Sequence, residues 1–527
     1  MNAASHGSSQ FAIDCNTRQN QRIAHAGSRF FFCFMLSLIS PAPASSEGLP
    51  KETPHYRPAY HFTPAQAWMN DPNGLLHHQG TWHLFFQHYP HAMTWGPMHW
   101  GHATSQDLMH WQEQPIALAP DALGMIFSGS AVIDEHNTCG LGVPGQAPWV
   151  AIFTHHDGEA EKAGRSDYQH QSLAFSLDEG RSWQKYAGNP VLPNPGLKDL
   201  RDPKVFWHAA TARWVMSLAA GDQIVFYTSP NLKDWTLQSR FGQGLGAHGG
   251  VWECPDLVEL TLDGQTHWVL IVSLTPGGPN GGSATQYFAG DFDGSHFTPH
   301  DTQTRWLDHG PDNYAGVTWH NTAPRSVFIG WMSNWRYAKE LPTSPWRSAM
   351  TMPRELFLQQ VEGQVHLSSR PAREVRQHVH NTPALTASLA DNTSHGGVLP
   401  LSEGRFAVEL NAPTLQDFTL TLTNDAGDAL HIGYDTASHS YWIDRTKAGL
   451  SDFHPEFAGR HTAPRISNAA EAQVSLFFDR TSVELFADQG LTSMTSLHFP
   501  RQPWSQWRIQ AGGAMREGAL TLSLFQP

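Results

Sequence analysis

A chain of 527 residues, 40% hydrophobic and only 15% charged, is globular and too long for one ordinary core. Its formal net charge of -14, with no long basic run, argues against nucleic acid or an anionic membrane as partners, since both need a positive footprint. The 20 Trp residues are the anomaly: most belong in a core, but indole faces also stack on the apolar faces of sugar rings.

Residues 1–44 read as an export segment. Arg18, Arg22 and Arg29 form a basic region, "FFFCFMLSLIS" (Phe30–Ser40) an apolar stretch, and "APA" (Ala42–Ala44) a small-residue cleavage site. The apolar run is too short to span a bilayer, so the expectation is a secreted or periplasmic protein with no membrane association once the segment is removed. Cleavage after Ala44 removes three Arg and one Asp, taking the formal charge from -14 to -16. Of the four cysteines, Cys139 and Cys254 would remain. They are enough for one bridge and do not resemble a disulfide framework.

From there to about residue 370, short alternating runs such as "TWHLFFQHY", "RWVMSLAA", "IVFYTS", "THWVLIVSL" and "SVFIGWMS" are divided by Gly, Pro, Asn and Asp, which predicts many short antiparallel strands. Four segments repeat the form strand, polar turn, aromatic, and close on Trp111, Trp183, Trp235 and Phe297. Repeated all-β units of this size fit propeller blades. An irregular sandwich gives similar strands but no repeated closing aromatic. A polar motif precedes each segment: "MNDPNG", "FSGSA", "RDPK" and "WECPD", with "PDNYAG" opening a last unit. If each marks the innermost strand of a blade, all five converge on one channel mouth. After "RPAREVRQH" (Arg370–His378), a linker with some helical character, the alternation becomes more regular and predicts a β-sandwich without a cluster of catalytic groups.

Convergence would bring together Asp71, Asp202 and Glu253. Taken alone, each motif is a turn or a strand end: Asp-Pro-Asn-Gly is a strong tight-turn signal. Together they offer the two carboxyl groups, about 5 Å apart, that retaining glycosidases need. Asp71, with the N–H groups of the following turn nearby, is the candidate nucleophile. Glu253, between Trp252 and Cys254, is the natural acid. Asp202, beside Arg201, is expected to stay ionised and to stabilise positive charge on the ring.

In this order and spacing "WMNDPNG", "FSGSA", "RDPK" and "ECPD" resemble the family 32 glycoside hydrolases, and the match continues through "HLFFQHYP", "GWMSNW" and the C-terminal "SLFFDRTSVELFADQG". The resemblance implies a five-bladed β-propeller over residues 45–375 and a linker plus β-sandwich over 376–527. It implies a covalent fructosyl-enzyme, with Asp71 as nucleophile, Glu253 as general acid/base and Asp202 as transition-state stabiliser. Ligands of the terminal fructosyl unit map onto Asn70, Gln87, Trp95, Phe127, Ser128, Arg201 and Asp312, with Trp335 as a wall. No metal or organic cofactor is implied, and the 32 His residues show no His-Glu-x-x-His spacing. "GPDNYAGVTW", "GWMSNWRYA" and "TSPWRSAMT" are similar to exo-acting fructanases, so the expected substrates are levan or inulin, with sucrose second. Two rivals are a fructosyltransferase using the same intermediate and a non-catalytic fructan-binding protein.

Overall fold

The computed structural model describes residues 52–378, 385–389, 394–399, 404–512 and 518–524. The expected export segment lies outside them. Among the described residues no helix is long and apolar enough to cross a membrane.

The first part of the chain folds into five antiparallel sheets, each entered at its innermost strand. Those strands are Ala67–His78, Met125–Ile133, Leu200–His208, Val251–Leu262 and Tyr314–Thr318. Each packs against the next, and the fifth packs against the first, so the ring closes as a five-bladed propeller. A short strand, Trp346–Arg347, runs parallel to the start of the first innermost strand and ties the end of the ring to its beginning.

The repeated aromatic has a physical role. In three blades the indole N–H donates to the carbonyl three residues earlier: Trp111 to Leu108, Trp183 to Gly180 and Trp235 to Leu232. The turn ahead of each is wound around Asp107, Asp178 or Asn231, whose side-chain oxygen accepts backbone N–H groups. Asp293 does the same ahead of Phe297. These side chains satisfy donors that the turn would otherwise leave unpaired, and the ring seals the corner.

The chain then passes through a short helix, Arg373–Gln377, into two six-stranded sheets whose inner faces pack Leu389, Phe406, Leu420, Ile432, Phe478 and Leu485 into one core. The sandwich docks on the propeller through buried charge. Arg354, from the fifth blade, pairs with Asp308 at 2.8 Å and with Glu484 of the sandwich, and donates to Thr495 Oγ1 at 2.6 Å. His61 bridges Asp479 and Glu484, at 2.9 Å each. Both acids come from the C-terminal motif "SLFFDRTSVELFADQG", so these two charges serve docking.

Candidate active site

All five motifs lie on or beside innermost strands, but none of the first four is a turn. Asp-Pro-Asn-Gly runs through the middle of the strand Ala67–His78, which correctly read turn residues had predicted to break. In every blade the ladder between the first and second strands skips one residue at the motif: between Met69 and Pro72 and again between Asn73 and Leu76, then Ile126 and Gly129, Arg201 and Lys204, Glu253 and Asp256, and Tyr314 and Val317. These are β-bulges, which bend a strand and re-aim its side chains. Proline has no N–H for the ladder, and Pro72, Pro203 and Pro255 sit where the ladder is already interrupted. Asp202, Cys254 and Ala315 adopt positive φ of 66°, 47° and 55° there, a strain typical of functional sites. Gly74, at φ 52°, leaves no room for a Cβ, which would press within 2.7 Å of Trp100 and 2.9 Å of Phe85.

The bulges direct Asp71, Asp202 and Glu253 into one cavity of about 240 Å³. Asn70, Gln87, Trp95, Phe127, Ser128, Arg201 and Trp335 line it with them. Asp71 is held on both oxygens: Ser128 Oγ donates to Oδ2 at 2.6 Å and Asn70 Nδ2 to Oδ1 at 2.9 Å. Asn70 is itself fixed by the Trp68 indole N–H at 2.7 Å, and Trp335 stacks on Trp68 with centroids 5.9 Å apart. Gln87 is anchored to the Ile126 carbonyl, while the Trp95 and Phe127 rings meet edge to face.

Asp312 is a correction. It is fully buried outside the cavity, between the propeller and the sandwich, where it accepts from Tyr337 OH at 2.6 Å, from the Arg445 guanidinium and from Leu497 N–H at 2.9 Å. Those donors occupy the carboxylate and leave nothing for a sugar. Two residues further on, Tyr314 reaches the catalytic carboxylates: its hydroxyl donates to Glu253 Oε2. The quoted "PDNYAG" contained that residue, but without the bulge between Tyr314 and Val317 its direction was not readable. Asp199, His156, Glu161 and Gln169 also line the cavity and were missed.

Arg201 departs from expectation too. It donates to Glu253 Oε1 at 2.9 Å and to Asp199 at 2.7 Å, while its Nε stays 3.9 Å from Asp202. Arg201 still lowers the Asp202 pKa through its charge, but burial, reinforced by the charges of Glu253 and Asp71, outweighs that pull and raises it to about 7. Burial and the Glu253 charge also raise Asp71, opposed by the bonds from Ser128 and Asn70 and by its own backbone N–H. Cys254 and Cys139 are both free thiols. Burial and the three surrounding carboxylates push the Cys254 thiol well above its ordinary value, so it stays protonated, 3.6 Å from Asp71 Oδ2 and 3.7 Å from Asp202 Oδ2. Burial and Glu253 likewise keep Tyr314 a hydroxyl donor.

Carboxyl groups facing one sugar-sized cavity, with one arginine among them, on a five-bladed propeller with an attached sandwich define a carboxylate-dependent glycoside hydrolase. The chain belongs to glycosyl hydrolases family 32: the family's N-terminal domain matches residues 61–371 and its C-terminal domain residues 367–524. It is 43% identical to a levanase of Bacillus subtilis over 507 residues, covering 93% of this chain and 73% of that protein. It is 41% identical to an extracellular exo-inulinase of Aspergillus niger over 500 residues, covering 88% and 93%. The crystal structure of an exo-inulinase from Aspergillus awamori superposes with a TM-score of 0.82 at 36% identity, covering 89% of this chain and 98% of that one.

Proposed function

We propose that the enzyme removes terminal β-D-fructosyl units from levan or inulin, and from sucrose, with retention of configuration. The single observation that carries this is the cavity. It holds Asp71, Asp202 and Glu253 together, and its volume of about 240 Å³ lies below the roughly 300–1,000 Å³ of pockets for drug-sized ligands, so it suits one sugar ring at a chain end.

In the first step an Asp71 oxygen attacks the anomeric carbon of the fructosyl unit. The bond from that carbon to the bridging oxygen breaks, and the Glu253 proton passes to the leaving oxygen. In the second step Glu253 takes a proton from water, the hydroxyl oxygen bonds to the same carbon, and Asp71 leaves as carboxylate. Ser128 and Asn70 aim Asp71, and Tyr314 and Arg201 hold the two oxygens of Glu253. Asp202, in the same cavity, binds the ring hydroxyls and answers the positive charge that develops on the ring. Trp95, Phe127 and Trp335 supply apolar walls, and Gln87 a polar one.

The levanase and exo-inulinase relatives support fructan as substrate, and the extracellular relative supports export. The test is a time course of the purified protein on levan, inulin and sucrose. Free fructose from the first time point is expected on all three. Early fructan oligomers would mean internal cleavage and contradict the terminal-unit reading, and chains longer than the donor on concentrated sucrose would mean transfer.

A further inference from the structure

We propose that His267, Asp291 and His300 bind a first-row divalent transition cation, with Zn²⁺ the best fit, at the outer edge of the fourth blade. His267 lies on the strand Gln265–Thr275 and Asp291 on its neighbour Ala284–Phe292, while His300 follows the outermost strand Phe297–Pro299. Register brings them together. Trp268 pairs with Gly290 and Asp291 with Thr298, and the His300 N–H donates to the Ala289 carbonyl. Three residues far apart in sequence therefore meet across three adjacent strands, an arrangement that no ligand spacing along the chain could reveal.

One ligand atom from each residue lies within 4.8 Å of the other two. His300 Nε2 is 3.3 Å from Asp291 Oδ2, and the two imidazole rings meet edge to face at 5.4 Å. In tetrahedral zinc sites, with metal–ligand bonds near 2.0–2.2 Å, donor atoms stand roughly 3.4 Å apart. One pair is already at that separation, and the exposed Asp291 and His300 side chains can turn to complete the set. His267 Nδ1 is buried and has no hydrogen-bond partner, so the ring is not committed there to any competing contact.

The donor set selects the metal class. Two imidazoles and one carboxylate suit Zn²⁺, Ni²⁺ or Cu²⁺, whereas Ca²⁺ and Mg²⁺ take oxygen ligands. Place selects the role. Glu253 pairs with Ser273 on the strand that also carries His267, and six residues of strand separate the two by about 20 Å. The cation is therefore a clip and not a reagent. It fastens the three-residue edge strand Phe297–Pro299 to the blade's interior and, by binding only the folded state, stabilises it.

The test titrates ZnCl₂ calorimetrically into chelator-stripped full-length protein, with CaCl₂ as comparison, and follows thermal unfolding with and without Zn²⁺. Asp291→Asn and His300→Gln alter exposed side chains and leave the core intact. The expected result is one Zn²⁺ per chain, at least tenfold weaker in either variant and lost in the double variant. Zn²⁺ should raise the unfolding temperature of the parent protein alone, with equal sucrose hydrolysis in stripped and loaded protein. Equal Zn²⁺ binding by parent and double variant, no binding by the parent, or Ca²⁺ binding as tight as Zn²⁺ would overturn the proposal.

Discussion

Two groups of carboxylates, one sealed at a seam and one facing a cavity, sit in one molecule and behave oppositely. At the seam between propeller and sandwich, Asp308, Asp479 and Glu484 are each matched by a cation and further donors. Despite their burial, Arg354, His61 and neighbouring hydroxyl and N–H groups pull all three below the ordinary carboxylate range. In the channel, Asp71, Asp202 and Glu253 face a cavity lined, among the described residues, by Arg201 as the one Lys or Arg, and Asp71 and Asp202 are pushed upward. A balanced, sealed set of charges holds parts together. An unbalanced set open to a cavity stores electrostatic work that a substrate carrying developing positive charge can relieve.

Substitutions should separate the two groups. Glu253→Gln and Asp71→Ala are each expected to lower kcat on sucrose by three or more orders of magnitude while leaving the melting temperature unchanged or raised, since a like charge is removed. Near-normal turnover in either variant would overturn the assigned roles. At the seam, Arg354→Ala strands Asp308 and Glu484 and should cost about 3–5 kcal/mol of stability in denaturant unfolding, with activity per folded molecule retained.

Tyr314→Phe removes one donor to an ionisable group, worth about 1.5–3 kcal/mol, and should cut kcat roughly 10- to 100-fold with little change in stability. A large loss of stability with normal kcat would make Tyr314 structural. Ser128→Ala takes away a bond that favours ionised Asp71. Burial already raises the Asp71 carboxyl, so the acid limb of kcat/KM should move further to higher pH in the variant. A limb that stayed in place would remove Ser128 from that role.

A further effect appears at high pH. Burial alone would lower His61, but the bonds and charges of Asp479 and Glu484 raise it to about 9, above the ordinary 6.5 of an imidazole. Its contribution to stability is therefore complete below pH 6.5 and fades as pH climbs through about 9. His61→Gln should flatten the decline in melting temperature across that window. An unchanged decline would place the titrating group elsewhere.

Most of this architecture was legible in the sequence, because period-two alternation and the repeated closing aromatic are local signals. The strand "TWHLFFQHY" forms as read, and Trp111, Trp183 and Trp235 make the same bond in each blade. The channel residues were legible because their motifs open consecutive units. What failed was the conformation between them. Asp-Pro-Asn-Gly carries every mark of a turn, and only the neighbouring strands make it a bulged strand interior. Reading along the chain is blind to such bulges: Asp312 came to the site only through the family resemblance, while Tyr314, which bonds Glu253, went unassigned. It also gave Arg201 to Asp202, the residue beside it in sequence, when the nearer partners in space are Glu253 and Asp199. The docking role of "SLFFDRTSVELFADQG" was hidden for a similar reason, since Asp479 and Glu484 find His61 more than 400 residues earlier.

The proposed covalent bond runs from Asp71 to the anomeric carbon of fructose. Glu253→Gln incubated with β-D-fructosyl fluoride tests it most directly, because fluoride leaves without acid assistance while the second step lacks its base. Mass spectrometry of the proteolysed protein should find one fructosyl residue on the peptide carrying Asp71. An adduct on the peptide carrying Asp202, or release of the inverted α-anomer with no adduct, would contradict it.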